Sequence, residues 1–205
     1  MDQRGRPRNA VIDRRIIDAF AALVEERGFA HVTVDTVVER AGSNKPAFYR
    51  RFGSLAALVP ALLASRHGTD EDIDTGSLVG DLLEVQERQR ELFTDPPIAR
   101  GLAGWASEAD ADPSLGTPFV DGYLAPRRAY TSAILGRAVA RGEISAGADP
   151  DWIADLLTGP LLMRAVLPGM PCIDRRLVLR TVHAALDALA FEGGRGSIVI
   201  DDTSL

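Results

Sequence analysis

Apolar residues in this chain recur at steps of three and four, and most such runs end at a glycine or start beside a proline. That spacing lays a stripe along a helix and leaves no period-two rhythm for strands. From residue 11 to 27 the stripe is Ile12, Ile16, Ala19, Phe20, Leu23 and Val24. Gly28 then supplies a left-handed stop, with Phe29 placed for the hydrophobic contact that accompanies such a cap. Thr33 opens a short second helix with Val34, Val37 and Val38 inward, and Ala41-Gly42 closes it. Ser43 or Asn44 opens a third helix to about Arg51, whose first turn tolerates Pro46 because the missing N–H is needed by no carbonyl there. Gly53-Ser54 breaks it, and Ser54 is placed to cap a fourth from Leu55 to about Arg66. Five more helices are expected over 78–93, 98–109, 119–141, 150–167 and 174–191, separated by polar, Gly-rich or Pro-containing segments. The chain is therefore expected to be all-α, with about nine helices.

At 22.0 kDa such a chain can bury about 70% of its unfolded surface, so it needs no covalent staples. Cys172 is the single cysteine, which excludes an internal disulfide framework and a thiolate metal cluster and fits a reduced, cytosolic setting. The N-terminal stretch "MDQRGRPRNA" is charged and lacks an apolar h-region, and no apolar run approaches the length of a membrane span. The formal net charge of −6 disfavours nucleic acid only if charge is evenly spread, and it is not. Residues 1–52 carry ten Lys/Arg against seven Asp/Glu, and the remaining 153 carry 13 Arg against 22 Asp/Glu. A basic end that touches a polyanion and an acidic remainder that does not would give this asymmetry, as would chance surface composition.

The segment "AGSNKPAFYRRF" at 41–52 gives the basic end a purpose. Three short helices, the last two joined by a tight turn with a glycine, make a helix-turn-helix. Ala41 is small enough for a steep helix crossing, and Gly42 permits the turn. Phe48 and Phe52, at i and i+4, are expected to pin the third helix onto Ile16, Phe20 and Val37. Asn44, Lys45, Ala47, Tyr49, Arg50 and Arg51 are then expected to point outward. Arg and Lys suit guanine edges or phosphates, Asn suits adenine or a phosphate, and a tyrosine hydroxyl suits a phosphate. Lys45 is the only lysine among 23 basic residues. The bland alternative is a solvated face on a short structural helix.

Residues 11–58 resemble the DNA-binding domain of the TetR family of bacterial transcription repressors. The resemblance is carried by Gly28-Phe29, Thr33, Ala41-Gly42, Phe48-Tyr49 and Phe52. It implies that Thr33 and Tyr49 contact phosphates and that Lys45, Pro46 and Ala47 face the groove. Two departures stand out: Leu55 replaces a phosphate-anchoring lysine common at the start of helix four, and Ala47 replaces a small polar residue. The stretch "RGRPR" at 4–8 is similar to the basic arm that precedes helix one in many members, and Arg4 and Arg6 suit a narrow minor groove. A solubilising tail is the alternative. The run "RGEI…DPDWIADLLTGPLLMR" resembles the C-terminal half of one TetR subgroup, in which the last two long helices form a dimer interface. The resemblance thus implies a homodimer on a palindromic double-stranded operator and a small-molecule effector.

The expected organisation is a basic arm at 1–10, a DNA-binding domain at 11–55, a helical effector-binding and dimerisation domain at 56–192 and a mobile tail at 193–205. Leu156, Leu157, Leu161, Leu186 and Leu189 are the expected dimer contacts. Phe93, Leu102, Trp105, Tyr123, Tyr130 and Met163 are candidates for a largely apolar effector pocket, although core filling explains each of them as well. Nothing points to catalysis, a metal or a cofactor. His31, His67 and His183 show no ligand spacing, and no hydrolase, metalloprotease or nucleotide-loop motif is present. The competing reading is a helical ligand-binding or structural protein whose DNA-binding face has decayed.

Overall fold

The computed structural model describes residues 6–68, 70–111 and 116–194, and the described residues hold helices and no strands. The helices are α1 (Arg6–Arg27), α2 (Val34–Arg40), α3 (Lys45–Phe52), α4 (Leu58–His67), α5 (Leu78–Thr94), α6 (Pro96–Ala111), a short α7 (Gly116–Phe119), α8 (Ala125–Ala140), α9 (Pro150–Val166) and α10 (Arg175–Ala188). Three boundaries differ from expectation. Helix α1 starts at Arg6, so residues 6–10 extend a helix and are not an arm; Arg4 and most of the expected tail, residues 195–205, lie outside the described residues. Helix α4 starts at Leu58, not at Leu55, because Ser54 caps a turn through Ala57 N–H before the helix proper. The helix expected over 119–141 is interrupted by a π-helical turn, Val120–Leu124, just before Pro126.

The chain divides into two compact units that are not contiguous in sequence: Met1–Arg66 with Asp95–Tyr123, and His67–Thr94 with Leu124–Leu205. In the first unit α1 is the axis, packed by α2 and α6, and α2 packs on α3. Ile16, Phe20, Val37 and Phe48 are buried to 1% exposure or less, which is the packing expected from the sequence. Phe52 is half-buried against Phe48, with ring centroids 5.8 Å apart. Helix α6 joins this unit because Gly101 and Gly104 let its backbone lie close to α1 and the turn after it. A Cβ on Gly101 would stand 3.0 Å from Val24, and one on Gly104 would stand 3.1 Å from Phe29. The first compact unit therefore reaches well beyond the 11–55 span expected for a DNA-binding domain.

In the second unit α10 packs on α5 and α9, and α8 packs on α9 and α5. Leu78, Leu82, Ile134, Ile153, Leu157, Val182 and Leu186 fill the interior. The loop before α5 is held by buried charge. Asp70 pairs with Arg127 at 2.6 Å, and burial raises its carboxyl pKa above the ordinary aspartate value although Arg127 and Arg88 oppose the shift. Nearby, Asp81 is wholly buried and accepts from the Thr75 N–H and hydroxyl at 2.7 and 2.8 Å.

Candidate nucleic-acid interface

Local chemistry sets the α2–α3 turn almost completely. Thr33 caps α2: its hydroxyl oxygen accepts from Thr36 N–H at 3.3 Å, and the Thr36 side chain accepts from Thr33 N–H at 3.2 Å. The reciprocal pair satisfies two donors that a helix start leaves open. At the other end Gly42 N–H reaches Glu39 O and Ser43 N–H reaches Val38 O, at 3.1 and 2.8 Å. This is a Schellman closure, and it places Gly42 at φ 58°, where a side chain is strained. Asn44 then caps α3 through Ala47 N–H at 2.9 Å, and Pro46 sits in the first turn.

Turned this way, α3 buries Phe48 and presents Asn44, Lys45, Pro46, Tyr49 and Arg50 to solvent, with Ala47 half-exposed. Tyr49 is 53% exposed and stands edge-on to Phe48, which steers its hydroxyl outward. The exposed set is a row of cations, one phenol and a methyl group along one short helix, which suits the phosphates and base edges of a groove. Thr33 is exposed at the start of α2; its hydroxyl oxygen caps the helix and lies 3.2 Å from the Thr36 hydroxyl, whose own hydrogen goes to Thr33 O, so a phosphate that takes the Thr33 hydroxyl hydrogen competes with Thr36.

Two members of the expected contact set have other duties. Asn44 commits its side-chain oxygen to the Ala47 cap, which leaves only the amide N–H₂ for DNA and removes the two-point pairing that would read adenine. Arg51 does not point outward. Its side chain is only 12% exposed, its Nε lies 2.6 Å from Asp13 Oδ1, and its Nη1 donates to Ala47 O at 2.9 Å. It clamps α3 to α1. Sequence reasoning also missed Asp35, whose carboxylate lies 2.8 Å from Lys45 Nζ. That hydrogen bond and the carboxylate's charge raise the Lys45 pKa above the ordinary lysine value. The only signal for the pair was an acidic residue in the first turn of a helix that precedes a cation-rich one.

The other candidate residues divide between the units. In the first, Trp105 stacks on Phe119 with centroids 4.6 Å apart, and Phe119 lies 6.0 Å from Tyr123. Leu102 borders a narrow apolar cavity with Phe20, Phe29 and Ile98. In the second, Phe93 is buried, the Tyr130 hydroxyl donates to Ile73 O, and Met163 is 46% exposed. The expected dimer residues need correcting. Leu157, Leu161 and Leu186 are 1%, 0% and 0% exposed, and Leu189 is buried as well. They fill the core of their own protomer, so a partner cannot reach them; Leu156 alone of the five stays half-exposed. Among the described residues no helix is long and apolar enough to cross a membrane, and no group of His, Cys, Asp or Glu is arranged to hold a metal ion.

Comparison with known proteins agrees with this layout. Residues 16–62 match the family described as bacterial regulatory proteins, tetR family, and residues 72–185 match the tetracyclin repressor-like C-terminal domain. The HTH-type transcriptional regulator Rv1556 of Mycobacterium tuberculosis is 34% identical over 73% of this chain and 73% of its own length. The DNA-binding transcriptional repressor TetR of Mycobacteroides abscessus is 30% identical over 95% of this chain and 100% of its own. Among solved structures, the TetR family transcription regulator SCO0332 superposes with a TM-score of 0.70 at 27% identity, covering 86% of this chain and 97% of that one. With two family domains in tandem and a helix-turn-helix built as described, the chain belongs to the TetR family of DNA-binding transcriptional regulators.

Proposed function

We propose that the protein is a homodimeric repressor that holds a palindromic operator through α3 and releases it when a small, largely apolar molecule binds. The observation that carries the DNA half is the division of α3: Phe48 is sealed in the core while Lys45, Pro46, Ala47, Tyr49 and Arg50 line the opposite face. Thr33 adds a phosphate contact from α2. Release is a population shift, in which the effector stabilises a dimer whose two recognition helices no longer match successive grooves.

The dimer surface follows from what the leucine core leaves over. Trp152, Leu156, Gly159 and Met163 lie at steps of four, three and four on α9, and none of them is buried. They form the outward stripe opposite Ile153, Leu157 and Leu161. On α10 the small Ala184 and Ala188 are exposed and leave room for a close helix approach. For the effector, the aromatic group of Trp105, Phe119 and Tyr123 offers an apolar wall. The Trp105 indole N–H is buried and meets no acceptor among the described residues. A ligand with an aromatic or aliphatic body and one acceptor atom fits that wall.

The test is binding of the DNA flanking the protein's own gene, followed by gel shift. The wild type should shift it, and Lys45→Ala should weaken binding by about 1–3 kcal/mol at unchanged melting temperature. A molecule that releases the DNA should also quench fluorescence in Trp152→Phe, where Trp105 is the remaining tryptophan. Full-strength binding by Lys45→Ala removes Lys45 from the contact set, and release without any change in Trp105 emission moves the effector elsewhere.

A further inference from the structure

Lys45 is the one ammonium in the chain's side chains, and in the free protein it is already engaged. Its partner, Asp35, is the second residue of α2, and Lys45 is the first of α3, so the two helix starts face each other across the turn. Nζ and Oδ1 are 2.8 Å apart, with Lys45 53% and Asp35 68% exposed. Exposed pairs of this kind contribute little to stability. What the pair changes is the character of the cation that DNA meets.

An ammonium has three N–H donors. With one directed at Asp35, two remain, enough for the O6 and N7 acceptors of a guanine edge. Those acceptors carry only partial negative charge, so the carboxylate beside Lys45 opposes them far less than it opposes an anion. A backbone phosphate is an anion, and on the same ammonium it meets Asp35 as a like charge. The pair as a whole has no net charge, so it releases few counterions when it lies against the backbone. We propose that Asp35 is a specificity-setting residue: its carboxylate keeps Lys45 from acting as a general phosphate ligand and reserves it for a base edge. Asp35 acts through Lys45 and is a positioning residue. The proposal rests on the DNA-binding reading and assigns it a way to reject DNA of the wrong sequence.

The experiment compares wild type, Asp35→Asn, Asp35→Glu, Lys45→Ala and the Asp35→Asn/Lys45→Ala double variant. Each is titrated by fluorescence anisotropy against a labelled duplex of arbitrary sequence and against the fragment flanking its own gene. Salt is varied from about 50 to 200 mM. If Asp35 restrains Lys45, Asp35→Asn binds the arbitrary duplex more tightly and its log–log salt slope steepens by about 0.9 per recognition helix engaged. The gain then shrinks about 3.5-fold across that salt range with one helix engaged, and about twelvefold with both. Preference for the flanking fragment falls accordingly, Asp35→Glu keeps the wild-type slope, and melting temperatures stay together. In the Lys45→Ala background the Asp35→Asn effect should disappear. An unchanged slope in Asp35→Asn overturns the proposal, and so does an equal steepening without Lys45, which would mark a general charge effect. Those results leave the DNA-binding reading intact. Wild type that binds neither duplex even at low salt overturns that reading, and the proposal with it.

Discussion

Arg50 and Arg51 are adjacent on α3 and chemically identical, yet the helix sends them to different surroundings. Arg50 is exposed, whereas Arg51 lies against Asp13 of α1 and the Ala47 carbonyl. Hydrogen bonds to charged groups contribute about 1.5–3 kcal/mol when they are shielded from water. Arg51→Ala should therefore lower unfolding free energy by about 2 kcal/mol in urea denaturation, and any loss of DNA affinity should follow from that. Arg50→Ala should leave the denaturation midpoint in place and weaken DNA binding at low salt. The two effects appearing in the opposite order would reverse the assignment. The sequence shows that both positions are cationic, but not which side chain meets a carboxylate 38 positions earlier. By contrast Thr33, Gly42, Asn44 and Pro46 were legible, because each acts on backbone groups within four residues of itself.

At the scale of elements, α9 is the instructive case. It is apolar on nearly all sides, with Trp152, Leu156, Leu162 and Met163 on or near the surface and Ile153, Leu157 and Leu161 inside. A helix hydrophobic all round gives no stripe from which to choose its inner face. The leucines that looked like an interface are core for that reason, and the outward stripe proposed for the interface starts one position away. Two substitutions separate the roles. Leu157→Ala should cost about 2–5 kcal/mol of stability, as a truncation of a sealed core side chain does. Met163→Glu should leave the fold intact by circular dichroism and shift the protein toward monomer in sedimentation, with operator affinity falling in step. A stable dimer in Met163→Glu would remove the outward stripe from the interface. Helix α6 was legible as a helix but not as part of the first unit. Gly101 and Gly104 permit both a hinge and a tight seat, and their contacts with Val24 and Phe29 favour the seat.

For the whole molecule, the division into units follows packing and not chain order. After α4 the chain leaves the first unit, builds α5 in the second, and returns with α6. Phe20, Val24, Phe29, Val59 and Leu62 line the place where Ile98 and Leu102 of α6 settle. A fragment ending at residue 66 would expose that apolar face to water. It should melt at lower temperature and less cooperatively than the same fragment joined through a flexible linker to residues 95–123. Equal melting of the two would show that α6 adds nothing to the unit. A two-fold dimer of whole chains also fixes the operator: half-sites should lie about 34–36 Å apart, or a multiple of that spacing.

The Lys45–Asp35 contact has a practical side as well. Apart from the α-amino group, Lys45 carries the chain's one primary amine, and half of its side chain is open to solvent. Reductive methylation with isotopically labelled formaldehyde would therefore place a single side-chain label at the first residue of α3 without any substitution, keeping the positive charge. Dimethylation leaves a single N–H, so the resonance would report the carboxylate beside it in the free protein and, on addition of DNA, how far binding depends on the donors that the methyl groups replace.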